Sequence, residues 1–310
     1  MEDQIGVEHP VLGNGYVRVV DYMGDDEAIC EAARQSYGEG TRSVSKTRGL
    51  IRYLLRHRHT TPFEMCEIKL HVKLPIFVAR QWIRHRTANV NEYSARYSIL
   101  SEFFIPEAPD MMAQSVVNAQ GRSDDAFPPD IAHGMIQTIR QHSEMSNQIY
   151  LELLTGQPWF DPNGTPWSQY HDPEIAGYDM QGVSFEDYEK HHGLARELAR
   201  MVMPPNVMTE WYWKVDLHNL LHFLKLRADP HAQREIRVYA EMICQIVADW
   251  VPLTFEAWED YSLHSHTFSR QEMEQLRQMV KGYQLTELVP EGSSLSEREH
   301  RAFGEALGLV

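Results

Sequence analysis

The chain has 310 residues, 43% hydrophobic and 24% charged, with a formal net charge of −15. Those proportions belong to a globular protein that can bury a core without a disulfide or metal staple, and the acidic balance argues against a nucleic-acid partner, since phosphate backbones recruit basic faces. No apolar run approaches the ~20 residues of a membrane span and no signal peptide opens the chain; with Cys30, Cys66 and Cys244 scattered and odd in number, the expectation is a cytoplasmic protein with reduced thiols and no membrane partner.

GYVRVVDYM (Gly15 to Met23) predicts a first strand, and Asp25-Asp26 then caps a helix expected to reach about Tyr37. KTRGLIRYLLRHR (46–58) places Leu50, Ile51, Leu54 and Leu55 at a helical period. It stops at HTTPFE, where Pro62 disfavours helix in the residue before it. From Cys66 to Leu74, the apolar Cys66, Ile68, Leu70, Val72 and Leu74 alternate with Glu67, Lys69, His71 and Lys73, as in a strand with one buried and one wet face. Pro75 suits the first turn of a following helix, PIFVARQWIRHR, and FFIPEAPD (103–110) reads as extended or looped.

Between about 107 and 190, one helix, Ile131 to Leu154, stands between stretches rich in Gly, Pro, Asp and Gln. The second of them, TGQPWFDPNGTPWSQYHDPEIAGYDMQG, has turn signals and no period; it reads as an irregular peripheral loop, or as a lid or oligomer contact. FEDYEKHHGLARELARMVMPPN then predicts a helix stopped by Pro204-Pro205, and VMTEWYWKV (Val207 to Val215) a strand. Asp216 can cap LHNLLHFLKLR, and a long helix from His231 to Trp258 is expected to kink near Pro252. A short helix after Ser269 and a polar end complete the chain. The pattern predicts an α+β fold, an antiparallel or mixed sheet flanked by helices. It is read as a single domain over 1–310 with an insertion at about 107–190 and an extension after about 262.

RHRTANVNEYS (Arg84 to Ser94) follows the apolar PIFVARQWI directly, so a helix end carries polar groups outward. Arg84, Arg86, Arg96, Arg200 and Arg227 lie at or near element ends; singly each is an ordinary surface residue, but together they can form a phosphate or carboxylate pocket. His218 and His222 are spaced i, i+4 as metal ligands can be, yet no H-E-x-x-H or ordered Cys/His array accompanies them, and no metal is expected. Ser94 lacks a G-x-S-x-G elbow, and neither a P-loop nor a G-x-G-x-x-G is present. Spacing alone therefore leaves an anion-binding pocket with its reaction open.

Arg-His-Arg, seven residues, then Ser is similar to the signature of flavin-dependent thymidylate synthases. HRHTTPFE, KLPIFVARQWIRHR, NEYSARYS, ARMVMP and HFLKLRADPHAQREI resemble further blocks of that family, in family order. The resemblance implies reductive methylation of dUMP to dTMP: methylenetetrahydrofolate supplies the carbon, FAD the hydride and NADPH the reducing power. It assigns Arg84, His85 and Arg86 to the flavin, chiefly its diphosphate, with Thr61, Glu92, Asp216, His218 and His222 as further FAD contacts. It assigns Gln81, Arg84, Ser94, the backbone at Ala95, Arg96, Arg200 and Arg227 to dUMP. Arg227 would activate the pyrimidine at C5, and His59 would stand near flavin and folate as the second catalytic position. His218 falls where relatives carry arginine, which puts that contact in doubt. The resemblance also implies a homotetramer whose sites are shared between subunits. A related pyrimidine-modifying enzyme, a silent nucleotide-binding protein and a metal-dependent hydrolase are the rival readings.

Overall fold

A computed structural model describes residues 1–35, 47–94, 96, 99, 101–117, 121–155, 193–285, 289 and 292–309. The chain divides into two units, Met1–Trp258 and Glu259–Val310.

In chain order the first unit contains β1 (Glu8–Val11), β2 (Gly15–Met23), α1 (Asp26–Arg34), α2 (Thr47–Arg56), α3 (Thr61–Glu64), β3 (Glu67–Pro75), α4 (Ile76–Trp82) and β4 (Asn89–Glu92). It continues with β5 (Met112–Gln114), β6 (Arg122–Ala126), α5 (Pro129–Thr155), α6 (Arg196–Ala199), β7 (Met208–Asp216), α7 (Leu217–Arg227), α8 (Arg234–Trp250) and α9 (Pro252–Trp258). The main sheet has five strands in the order β1-β2-β3-β7-β4, with antiparallel ladders throughout.

The alternating run 66–74 becomes β3 as expected, and the opposing run becomes β7. Their nine-residue ladder, Glu67↔Asp216 to Pro75↔Met208, puts Ile68, Leu70, Val72 and Leu74 on one face with Val215, Trp213, Trp211 and Thr209. That face is the core: Ile68, Leu70, Val72 and Leu74 are buried, as are Trp211 and Trp213. Helix α8 packs over it and is tied to β3 by the Tyr239 hydroxyl, which donates to the Lys73 carbonyl at 2.8 Å. Gly15 lies beneath that hydroxyl, where a Cβ would collide with it. The other face is polar, with His71 Nε2 3.0 Å from Glu210 and Lys73 2.7 Å from Glu102.

The helices follow their caps. Asp25 accepts from the Ala28 amide to start α1, and Asp216 accepts from the Asn219 amide at 2.9 Å to start α7. The kink expected near Pro252 is a full break: Val251 leaves the helical region (φ −135°, ψ 69°) and α9 starts afresh. Its free amides are met from across the fold, since the buried Asp26 carboxylate accepts from Leu253 N, Thr254 N and the Thr254 hydroxyl at 2.9, 3.0 and 2.6 Å.

Four expectations need correction. The helix beginning at Pro75 ends at Trp82, with Pro75 as its extended N-cap, so Arg84 to Arg86 lie beyond it. The described part of the 185–206 helix is only α6 and a 3-10 turn, Arg200–Val202. Strands β1 and β4 and the hairpin β5–β6 carry no alternating apolar signal and were not expected; β4 reads Asn-Val-Asn-Glu and is exposed throughout. The polar end of the chain includes a second helix. Of the 155–182 stretch, only Thr155 lies within the described residues.

The second unit has a π-helical turn, Glu259–Leu263, and two helices, α10 (Arg270–Met279) and α11 (Glu297–Leu307). Each helix opens on a capping box, Ser269 with Glu272 and Ser296 with Glu299.

Candidate active site

Burial of Trp82 organises the Arg-His-Arg segment. Its indole stacks on Phe223 at 4.6 Å and meets Trp213 edge-on at 5.1 Å, so the last turn of α4 is pinned to the core. The chain then turns, with the His85 amide donating to the Trp82 carbonyl at 2.9 Å. Arg84 and Arg86 consequently project outward and are exposed, while His85 turns inward, its ring edge-on to Phe223 at 4.9 Å. Neither Arg84 nor Arg86 has an acidic partner among the described residues. The seven residues before Ser94 form a turn and β4, which pairs with β7 from Asn89↔Lys214 to Glu92↔Trp211. The Tyr93 amide extends that ladder to the Glu210 carbonyl at 2.7 Å and sets Ser94 at the sheet edge.

A cavity of about 560 Å³ opens there, bounded by Arg80 of α4, Glu92, Tyr93 and Ser94, Tyr150 of α5, and Arg200 with the Pro204-Pro205 turn. The Glu92 carboxylate accepts from the Thr209 hydroxyl at 2.9 Å. Arg200 spends Nε on the Glu197 carbonyl at 3.3 Å, and among the described residues its terminal nitrogens have no partner. Ser94 Oγ accepts from the Arg96 amide at 3.3 Å, and the Arg96 guanidinium stands 4.0 Å from Glu197. Arg80, Arg200 and the Ser94 hydroxyl thus give one concave surface two guanidiniums and a hydroxyl, a donor set that suits a phosphate.

A second cluster surrounds Arg227, the last residue of α7. Its Nε donates to His85 Nε2 at 3.1 Å, and the His222 ring lies 6.0 Å from that of His85. Burial first, then the Arg227 charge, then His222, push His85 down to about 4, so the ring is neutral and able to accept. Burial also lowers Arg227 from its ordinary value, and no carboxylate compensates it among the described residues.

The remaining expected residues are more dispersed. Gln81 bonds the Gln233 side chain and does not line the cavity. Gln233 in turn donates to the buried Glu235 at 2.9 Å, and Glu235 is ion-paired with Arg122 of β6. Asp216 is engaged as the α7 cap, accepting from both the amide and the side chain of Asn219. His218 is half-buried on the first turn of α7 and His222 is exposed. His59 is exposed, its ring 6.0 Å from Tyr53, and the residue before it, Arg58, is held at φ 56°. Thr61 opens α3, which packs against α7. Ala95 lies outside the described residues.

Sequence reading passed over Arg80 and Thr209. Arg80 precedes Arg84 by four residues, one helical turn, and Thr209 is the hydroxyl on the otherwise apolar face of β7; both were legible signals. Among the described residues, no group of three or more His, Cys, Asp or Glu stands together as metal ligands would, and no helix is long and apolar enough to cross a membrane.

Residues 18–253 match the family described as thymidylate synthase complementing protein. The flavin-dependent thymidylate synthase of Ruegeria pomeroyi is 53% identical over 99% of this chain and 90% of its own length. That of Gluconobacter oxydans is 50% identical over 96% of this chain and 87% of its own. Among solved structures, the UMP/dUMP methylase PolB of Streptomyces cacaoi is similar in two complexes. The 5-Br UMP complex has a TM-score of 0.61 at 30% identity, covering 81% of this chain and 96% of that one. The 5-Br dUMP complex has a TM-score of 0.63 at 27% identity, covering 83% and 99%.

Proposed function

This chain belongs to the thymidylate synthase complementing protein family, the flavin-dependent thymidylate synthases, and on that premise we propose that it methylates dUMP reductively to dTMP. Methylenetetrahydrofolate is the one-carbon donor, FAD carries the hydride and NADPH reduces it. The observation that carries the reading is Arg227. A half-buried guanidinium without an acid is costly unless a ligand supplies compensating electron density. A pyrimidine gaining negative charge as C5 becomes nucleophilic is such a ligand, and the fixed cation stabilises it most when that charge is greatest.

The flavin fits the residues present. Arg84 and Arg86 are exposed neighbours of one turn without acidic partners among the described residues, a donor pair matched to a diphosphate. Glu92, Thr61, Asp216, His218 and His222 are its further contacts in this reading. When bound, FAD supplies hydride transfer. The chain's own part is to hold and orient. Ser94 and Arg200 take the nucleotide phosphate in the 560 Å³ cavity they line, a size ordinary for a small-ligand site, and the backbone at Ala95 and Arg96 are further dUMP contacts in this reading. Gln81, Arg84 and Arg227 address its base, and His59 stands toward the folate. A homotetramer with sites shared between subunits, as the family resemblance implies, is part of the proposal; neither Arg227 nor His59 lines that cavity. So are a cytoplasmic setting, which suits three free thiols, and a single catalytic domain over 1–310 with an insertion at about 107–190 and an extension after about 262.

The test is dTMP formation from dUMP, methylenetetrahydrofolate, NADPH and added FAD at low oxygen. Product that vanishes when FAD or NADPH is withheld supports the reading; a protein that binds flavin and dUMP and yields no dTMP overturns it. A second reading, methylation of UMP as well, is favoured by the similarity to a UMP/dUMP methylase. Replacing dUMP by UMP in the same assay decides it.

A further inference from the structure

Arg227 has one polar partner among the described residues, and that partner is a ring nitrogen where an acid would be usual. A guanidinium only donates, so Nε2 of His85 must be the lone-pair nitrogen and the ring proton resides on Nδ1. The ring is held from two sides: its backbone turn hangs from Trp82, and its edge meets Phe223 at 4.9 Å, itself stacked on Trp82. The bond occupies Nε alone and fixes the direction of its N–H, and among the described residues both terminal nitrogens of Arg227 are without a partner. A carboxylate in the same place would orient the guanidinium equally well but would cancel its charge. A neutral acceptor orients the cation and leaves its field intact, as stabilisation of a developing anion requires.

We infer that His85 is a positioning residue for Arg227, aligning its guanidinium against the pyrimidine, and is not a cationic ligand of the flavin diphosphate. This rests on the proposed thymidylate synthesis and departs from the flavin role that the family resemblance gives His85. Arg84 and Arg86, exposed and without acidic partners among the described residues, keep that role.

A double-mutant cycle on the FAD-loaded protein tests it, with His85→Leu, Arg227→Ala and the pair read for kcat, flavin affinity and dUMP affinity. His85→Leu should lower kcat by about 10²-fold, the scale of a misplaced catalytic group, with the flavin dissociation constant changed less than about threefold. In the Arg227→Ala background, loss of His85 should change neither kcat nor dUMP affinity by more than about twofold, because no guanidinium remains to be placed. His85→Gln offers a neutral acceptor near the position of Nε2 and should recover at least about tenfold of the loss. His85→Glu offers a charged acceptor and should recover little. Multiplicative effects in the cycle, or flavin release by His85→Leu while Arg227→Ala retains it, would overturn the inference. The dUMP arm judges the positioning even in protein that forms no dTMP, so wild-type turnover by itself tests only the reaction.

Discussion

At Arg227 and Arg86, two identical side chains are asked to do different work, and substitution separates them. Arg227→Ala should cut dTMP formation by about 10²–10³-fold while FAD binding survives, the size of loss seen when one fixed donor to a developing charge is removed. Arg86→Ala should instead weaken FAD retention, measured by flavin fluorescence on dilution; unchanged affinity would remove Arg86 from the diphosphate. His85 adds a pH signature. Its folded value of about 4 lies below the ordinary 6.5, so between those values the unfolded chain binds the extra proton. The neutral ring therefore imposes no pH-dependent loss above about pH 6.5, and stability falls as the pH drops toward 4. The groups bearing on this titration are Arg227 and His222, both on α7. His85→Gln should flatten the corresponding part of a urea-midpoint profile against pH, and an unchanged slope would contradict the buried neutral ring. The Arg84-to-Ser94 signature was legible in sequence because it is local. The His85–Arg227 bond was not, since 142 residues separate its ends and only the packing of α4 against α7 brings them together.

At the scale of elements, apolar rhythm decided what could be read. Strand β3 was visible because its buried face alternates with a polar one, and most of β7 because its residues are aromatic and β-branched. β4 was not, because Asn-Val-Asn-Glu has neither period nor β propensity; it is a strand because the edge of β7 offers backbone groups that need partners. The hairpin β5–β6 is likewise secured by charge. Arg122 of β6 pairs with the buried Glu235, and Asp110, just before β5, meets Arg234 at 2.5 Å. These adjacent residues of α8 lie just beyond the loop that follows Arg227, so the hairpin region clamps the start of α8. Glu235→Ala strands the partly exposed Arg122 and should cost about 2–3 kcal/mol by urea denaturation, below the full value for a wholly buried pair. A loss under 0.5 kcal/mol would show that the clamp is idle. The break at Val251 was legible only as a kink, because the cap that permits a new helix comes from Asp26, 227 and 228 residues from the amides it meets.

For the whole molecule, a net charge of −15 coexists with arginines gathered at two places, the cavity of Arg80 and Arg200 and the turn bearing Arg84 and Arg86. Composition argued against a nucleic-acid partner yet could not show that gathering, which depends on helix ends meeting a sheet edge. If sites are shared between subunits, mixing inactive Arg200→Ala and Arg227→Ala proteins under conditions of subunit exchange should restore turnover that neither has alone; no recovery would place both arginines of each site in one chain. The aromatic packing under the signature has an optical consequence. Trp82, Trp211 and Trp213 are buried side by side directly beneath the turn that presents Arg84 and Arg86. Indole emission overlaps isoalloxazine absorption, so a flavin seated on that turn becomes an energy acceptor for this cluster, and the intrinsic fluorescence of the protein becomes a titration signal for occupancy that needs no added dye.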